Sequence, residues 1–225
     1  MFPTVPPPSR RLLVFARLPE LGKVKTRLAA ELGDARALAI YEAMLRDLLR
    51  SIGPSTPELE IECLWPPTPG ANGASLRRAF APHAIAMQTG TDLGDRLSMA
   101  FSERFFFHKT RTIIAIGADD PLLPRTLLDH AFALLESVEY VIGPARDGGY
   151  YLIGSRAGSY EPEIFQGIDW GTPSVLSTTI ARVAATGRTL ALLPERYDLD
   201  TAEDLERFRA EGHEGEVAGL LNDEG

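Results

Sequence analysis

Four short segments of this chain concentrate side chains able to do chemistry, and each follows an apolar run. The first is Arg17-Leu-Pro-Glu-Leu-Gly-Lys-Val-Lys-Thr-Arg27, where Arg17, Lys23, Lys25 and Arg27 stand against one acid, Glu20. Cations beside the free N–H groups of a following helix start suit a phosphate. A solvated loop with Thr26 capping the next helix is the alternative. It is not a Walker A loop, because Arg17 stands where Gly is required and Val24 follows Gly22-Lys23 where Ser or Thr is required. The second is Ile116-Gly-Ala-Asp-Asp-Pro-Leu-Leu-Pro124. Asp119 and Asp120 leave a strand as hard oxygen ligands for a divalent cation. Asp before Pro is also ordinary turn chemistry, and Asp119, nearer the strand, is the better ligand of the two.

The third segment, Gly143-Pro-Ala-Arg-Asp-Gly-Gly-Tyr-Tyr-Leu-Ile-Gly154, places Asp147-Gly148-Gly149 between two β-rich runs and predicts a hairpin. The turn explains the glycines. It leaves Arg146, Asp147, Tyr150 and Tyr151 crowded at one tip, where acid, base and rings can position a sugar or a nucleobase. The fourth is Tyr197-Asp-Leu-Asp-Thr-Ala-Glu-Asp-Leu205. Thr201 and Asp204 form a capping box, so Asp198 and Asp200 are left to complete the cation site begun by Asp119. Two lesser features follow. In Gln88-Thr-Gly-Thr-Asp-Leu-Gly-Asp-Arg96, Asp92 fits a helix cap and Arg96 fits a ligand or an acid equally well. Trp170-Gly-Thr172 fits a packed turn better than a stacking platform.

Elements must carry these loops. Apolar runs predict strands at 12–16, 59–64, 85–88, 112–117, 140–143, 150–154 and 189–193. Helical spacing predicts helices at 35–52, 93–107, 124–137, 174–186 and 202–210. The run Thr112-Ile-Ile-Ala-Ile-Gly117 is apolar throughout, as a strand covered on both faces should be. Strand–helix alternation predicts a single-domain α/β fold with a mainly parallel, doubly wound sheet. Ligands in such sheets sit at the carboxyl ends of the strands, which is where the four segments fall. The expected domain runs from 11 to 210, after a Pro-rich tail at 1–10 and before a solvated acidic tail at 211–225.

Composition removes other classes. The 225 residues carry a net charge of −8 with a pI near 5.1. Residues 195–225 hold 11 acids and 3 bases, so residues 1–194 are neutral. This argues against a nucleic-acid partner, and the apolar runs are too short for membrane insertion. MFPTVPPPSRR reads as an extended tail and not a signal peptide. Cys63 is the only cysteine, which excludes an intrachain disulfide and points to a cytoplasmic, reducing location. The histidines lack zinc-ligand spacing. Phe105, Phe106 and Phe107 are core residues or the contact of a homodimer.

Together and in this order, these motifs resemble a bacterial family of the GT-A, nucleotide-diphospho-sugar transferase fold, the rSAM/selenodomain-associated transferases or arsenosugar-biosynthesis glycosyltransferases. A more distant likeness is to 2-phospholactate guanylyltransferase. The motifs span residues 11–206; Asp120 departs from the family, which has Cys or Ser there. The resemblance implies a nucleotide at the carboxyl edge of the sheet and Mg²⁺ or Mn²⁺ on Asp119 and Asp200. The expected nucleotide-binding set is Arg17, Gly22, Lys23, Lys25, Thr26, Arg27, Asp92, Arg96, Gly148, Gly149 and Tyr150, with Lys25 and Asp147 in catalysis. The reaction expected first is glycosyl transfer from a nucleotide-sugar to a small acceptor, with Asp147 as base for the acceptor hydroxyl. Nucleotidylyl transfer from an NTP to a phosphorylated acceptor is second, and a non-catalytic nucleotide-binding module is third.

Overall fold

The computed structural model describes residues 9–67 and 78–222. Seven strands form one sheet: β1 (Arg10–Phe15), β2 (Leu59–Trp65), β3 (Ala84–Met87), β4 (Thr112–Gly117), β5 (Tyr140–Pro144), β6 (Tyr150–Arg156) and β7 (Leu190–Leu192). Their order is β3-β2-β1-β4-β6-β5-β7, and only β6 runs antiparallel to its neighbours. Among the described residues, α-helices of seven or more residues flank it: α1 (Thr26–Leu32), α2 (Asp34–Ile52), α3 (Leu93–Phe106), α4 (Arg125–Leu134), α5 (Val175–Ala185), α6 (Ala202–Ala210) and α7 (Glu216–Asn222). This is the expected mainly parallel α/β domain. No helix among the described residues is long and apolar enough to cross a membrane.

The central strands are apolar on both faces because helices cover both. Leu12, Val14, Ile114 and Ile116 point into one core with Leu45 and Leu48 of α2 and Phe132 of α4. The alternate residues Leu13, Ile113 and Ala115 point into the other, with Phe101 of α3 and Val183 of α5. Cys63 is wholly buried, and burial pushes its thiol up to about 12, so it packs as a core residue. The strand order turns back at β1: β2 and β3 lie to one side, β4 and its successors to the other. A crevice therefore opens between the carboxyl ends of β1 and β4.

Two boundaries differ from expectation. β1 begins at Arg10, inside the expected tail, whose residues 1–8 lie outside the described ones. Arg11 is buried in that strand because Glu60 and Glu62 of β2 and Thr110 receive its guanidinium; charged letters there hid the first two residues of the strand. Within the described residues, the expected acidic tail contains a docked helix and is not solvated throughout. α7 buries Val217 and Leu221 against α2 and α6. Asp47 of α2 accepts the first N–H groups of α7, from Glu216 and Val217, both at 3.0 Å. Glu216 reaches Arg46 and Arg50. Isolated, so short a helix is unstable; docking on α2 makes it. Of the three phenylalanines, Phe105 is buried, whereas Phe106 and Phe107 are exposed.

Val217→Asp should therefore cost about 3 kcal/mol or more in urea denaturation, the cost of an unpaired carboxylate in a core. A change below about 0.5 kcal/mol, as a solvated tail would give, contradicts the docking of α7.

Candidate active site

The loop after β1 turns into α1 at Lys25, whose backbone is left-handed at φ 46°. That conformation is costly for a residue with a Cβ. It aims the side chain inward, where it is 3% exposed. Lys25 Nζ donates to Asp119 Oδ1 at 2.5 Å and Asp200 Oδ1 at 2.6 Å. Burial alone would lower its pKa, but the two carboxylates outweigh burial and hold it above the ordinary lysine value. A lysine from the first loop thus joins an aspartate from the second to one from the fourth.

The two aspartates reach the lysine because another pair fixes their loops. Asp120 is buried, and both of its oxygens accept from the Arg196 guanidinium, Oδ1 at 3.2 Å, while Oδ1 also accepts from Leu122 N–H at 3.0 Å. Leu199 N–H donates to the Asp119 carbonyl at 2.9 Å. Arg196 N–H donates to the Pro144 carbonyl, and Arg146 N–H to that of Arg196, each at 3.1 Å. Segment 196–200 is stitched between the β4 loop and the β5–β6 hairpin tip. Asp120 has its carboxylate committed to Arg196, whereas Asp119 faces the pockets at the sheet edge.

Three adjoining pockets follow the carboxyl edge. The first, about 230 Å³, is lined by Arg17, Lys25, Thr26, Arg27, Asp119 and Asp200, among others. The second, about 330 Å³, shares Arg17 and Asp119 with it and runs past Gln88, Arg96, Tyr150 and Tyr151. The third, about 230 Å³, shares Arg27 and Asp200 with the first and continues to Arg146, Asp147, Tyr197 and Arg207.

Several expected residues take other work. Thr26 does not cap α1: it is the first helical residue, and Lys25 holds the cap position without a side-chain cap bond. Lys23 is 65% exposed and pairs loosely with Glu20, and neither it nor Gly22 lines these pockets. Asp92 caps α3, accepting from Asp95 N–H at 2.8 Å. Gly148, at φ +88°, packs so closely that a Cβ would lie 2.3 Å from the Pro173 carbonyl oxygen. Gly149 N–H donates to Asp147 Oδ1 at 2.8 Å. Burial raises the Tyr150 phenol, whose ring meets Trp170 edge-on at 6.2 Å.

Sequence reasoning missed Tyr41, Gln88, Arg196, Tyr197 and Arg207. The Tyr41 hydroxyl accepts from Arg17 N–H at 2.9 Å and donates to its carbonyl at 3.1 Å, holding the start of the cationic loop. Gln88 Nε2 donates to the Leu64 carbonyl at 2.8 Å. Arg196 had one available signal: it is one of three bases in the acidic segment from 195 onward.

The mainly parallel sheet with helices on both faces is a fold that solved structures share. The chain is 30% identical to a Desulfovibrio desulfuricans G20 protein provisionally classed as a nucleotide-diphospho-sugar transferase, over 96% of this chain and 95% of that one, with a TM-score of 0.91. It belongs to the same family. Residues 63–172 match a family described as "Uncharacterized protein conserved in bacteria (DUF2064)". The fold is shared, at 15% identity and a TM-score of 0.54, with a cytidylyltransferase from Leptospira borgpetersenii serovar Hardjo-bovis, over 96% of this chain and 93% of that one. It is shared too, at 15% identity and a TM-score of 0.50, with Rv0371c from Mycobacterium tuberculosis H37Rv in complex with manganese, over 88% and 97%. No curated protein sequence matches the chain. Family and fold make it an enzyme of the transferase class.

Asp120→Asn should cost about 2–4 kcal/mol in denaturant unfolding, because it leaves the Arg196 guanidinium without its counter-charge. Asp119→Asn, more exposed and leaving Asp200 on Lys25, should cost about 1 kcal/mol or less. Equal costs would sink the division between a structural and a site aspartate. A second expectation concerns Asp198, whose carboxyl is pushed up to about 7 by burial and then by Asp119 and Asp200, against the opposing pull of Lys25. Between the ordinary carboxylate value and about 7, the unfolded chain has lost a proton that the folded protein keeps. Stability from this group therefore falls as pH rises through that window. In chelator-treated buffer, Asp198→Asn should gain more stability over the wild type at pH 8 than at pH 4; a pH-independent difference counts against it.

Proposed function

We propose that the chain is a glycosyltransferase that takes a sugar from a nucleotide-diphospho-sugar, with the nucleoside in the pocket past Gln88 and Arg96. The donor diphosphate lies against the Arg17–Arg27 loop, and a small acceptor occupies the pocket at Asp147. The observation that carries this reading is the Lys25 ammonium, buried between Asp119 and Asp200 at the first pocket, which shares Asp119 with the second pocket and Asp200 with the third. A fixed cation at that point is already oriented to stabilise negative charge developing on a leaving diphosphate. The family relationship and the motifs also support placement among the rSAM/selenodomain-associated transferases.

Asp119 and Asp200 fit a divalent metal of one kind. Among the described residues, no group of three or more His, Cys, Asp or Glu side chains forms a metal cage. Mg²⁺ and Mn²⁺ are suited to two carboxylates completed by phosphate oxygens and water. These residues fit an ion that arrives with the nucleotide, which would neutralise diphosphate charge when bound. In the transfer, the acceptor oxygen bonds to the anomeric carbon. The bond from that carbon to the diphosphate breaks, and its electron pair leaves on the nucleoside diphosphate. The hydroxyl proton passes to Asp147, one of whose oxygens is steadied by Gly149 N–H.

One observation favours a second reading, nucleotidylyl transfer from an NTP to a phosphorylated acceptor. Lys25, Arg17 and Arg27 crowd the phosphate pocket, which suits a triphosphate, and an acceptor phosphate needs no base.

Incubation with Mg²⁺ or Mn²⁺ and panels of nucleotide-sugars and NTPs separates the readings. Nucleoside diphosphate release from a sugar donor is expected; pyrophosphate release from an NTP overturns it in favour of the second. Lys25→Met should lower the rate about 10²- to 10³-fold, and an unchanged rate removes Lys25 from the chemistry.

A further inference from the structure

The pocket at Asp147 has a feature that the transfer itself does not use. Tyr197 stands with its ring between two guanidinium groups, Arg146 at 5.5 Å and Arg207 at 4.9 Å from the centroid. Its hydroxyl donates to Glu211 at 2.6 Å, which holds the ring in place. Stacking on an aromatic face holds a guanidinium while leaving its in-plane N–H donors available.

Those donors are poorly satisfied. Among the described residues, Arg146 pairs with Glu195 at 3.5 Å, and Arg207 with Asp204 at 3.4 Å and Glu203 at 3.7 Å. Each distance exceeds that of a charge-assisted hydrogen bond. The nearby carboxylates are occupied elsewhere. Asp204 Oδ2 accepts from Asp200 N–H, Thr201 N–H and the Thr201 hydroxyl, at 2.7–3.1 Å, and Asp147 Oδ1 accepts from Gly149 N–H. Two planar forks, held by one ring from separate elements, thus flank the same pocket with donors to spare.

We infer that Arg146, Tyr197 and Arg207 form a clamp for an anionic group, a phosphate or a carboxylate, on the acceptor. The assignment of this pocket to the acceptor rests on the function proposed above; the clamp itself rests on the side-chain geometry. Arg27 and Asp200 lie where this pocket meets the phosphate pocket, and Arg146, Tyr197 and Arg207 line only this one. The acceptor is therefore a small molecule with its reacting oxygen toward Asp147 and its anion toward Tyr197.

Three matched probes test this on the full-length protein: glycerol, glycerate and glycerol 3-phosphate, titrated by calorimetry with and without Mg²⁺ and a nucleoside diphosphate. At least one anionic probe should bind about tenfold or more tighter than glycerol, the scale of one added charge-assisted contact. Preference for glycerol 3-phosphate identifies the group as phosphate, and equal or better binding of glycerate identifies a carboxylate. In Arg146→Met/Arg207→Met the preference should fall below about twofold, while nucleoside diphosphate affinity stays unchanged. Should the double variant melt early, Arg146→Met alone, at the exposed hairpin tip, serves in its place. Equal affinity for the three probes, no binding of any, or a preference that survives the variants overturns the clamp. Failure of every nucleotide to bind the wild type would instead overturn the proposed function, because the probes report on the clamp without nucleotide.

Discussion

The arrangement depends on one buried cation. Lys25 sits between two carboxylates from segments 81 positions apart in sequence, Asp119 and Asp200. A lone ammonium would be expelled from that position or lose its proton, and two carboxylates so close would repel each other. Each charge is tolerable only because the others are present. The left-handed backbone at Lys25 is the local cost of aiming the side chain there, and strain of this kind is retained where the surrounding structure over-determines it.

The neighbouring Asp120–Arg196 pair plays a different part with the same chemistry. Its bidentate geometry and burial tie the β4 loop to segment 196–200, so that Asp119 and Asp200 approach Lys25 from opposite walls. Adjacent aspartates thereby divide between framework and site. Local charge, not the net value of −8, describes the groove: Arg17, Lys25 and Arg27 line the first pocket, and a stacked guanidinium pair flanks the third. Much of the negative charge near the C-terminus is taken up in capping α6, bonding Tyr197 and docking α7 on α2.

Much of the fold was legible because its signals are local. The apolar run at 112–117 and the Asp-Gly turn at 147–148 each follow from a few neighbouring residues, and the structure shows both. α7 was not legible, since seven residues with a polar start become a helix only when Asp47 and the apolar face of α2 complete them. Arg11 misled for the same reason: its partners come from β2 and from Thr110. At the site, the right loops were legible but the duties within them were not. Asp92 read both as a cap and as a nucleotide-binding residue, and Asp120 as the lesser ligand of its pair; the structure turns both carboxylates onto protein groups.

The sequence by itself determined the α/β class, the strands that carry the site and the side-chain types delivered to the carboxyl edge, because hydrophobic periodicity and turn chemistry act between near neighbours. Only the tertiary structure decided which charges meet. Lys25 with Asp119 and Asp200, Asp120 with Arg196, and Tyr197 between Arg146 and Arg207 are all contacts between loops from separate elements. Electrostatic and cation–π energies fall steeply with separation and rise with burial, so roles at this site follow from distances that only the folded sheet sets.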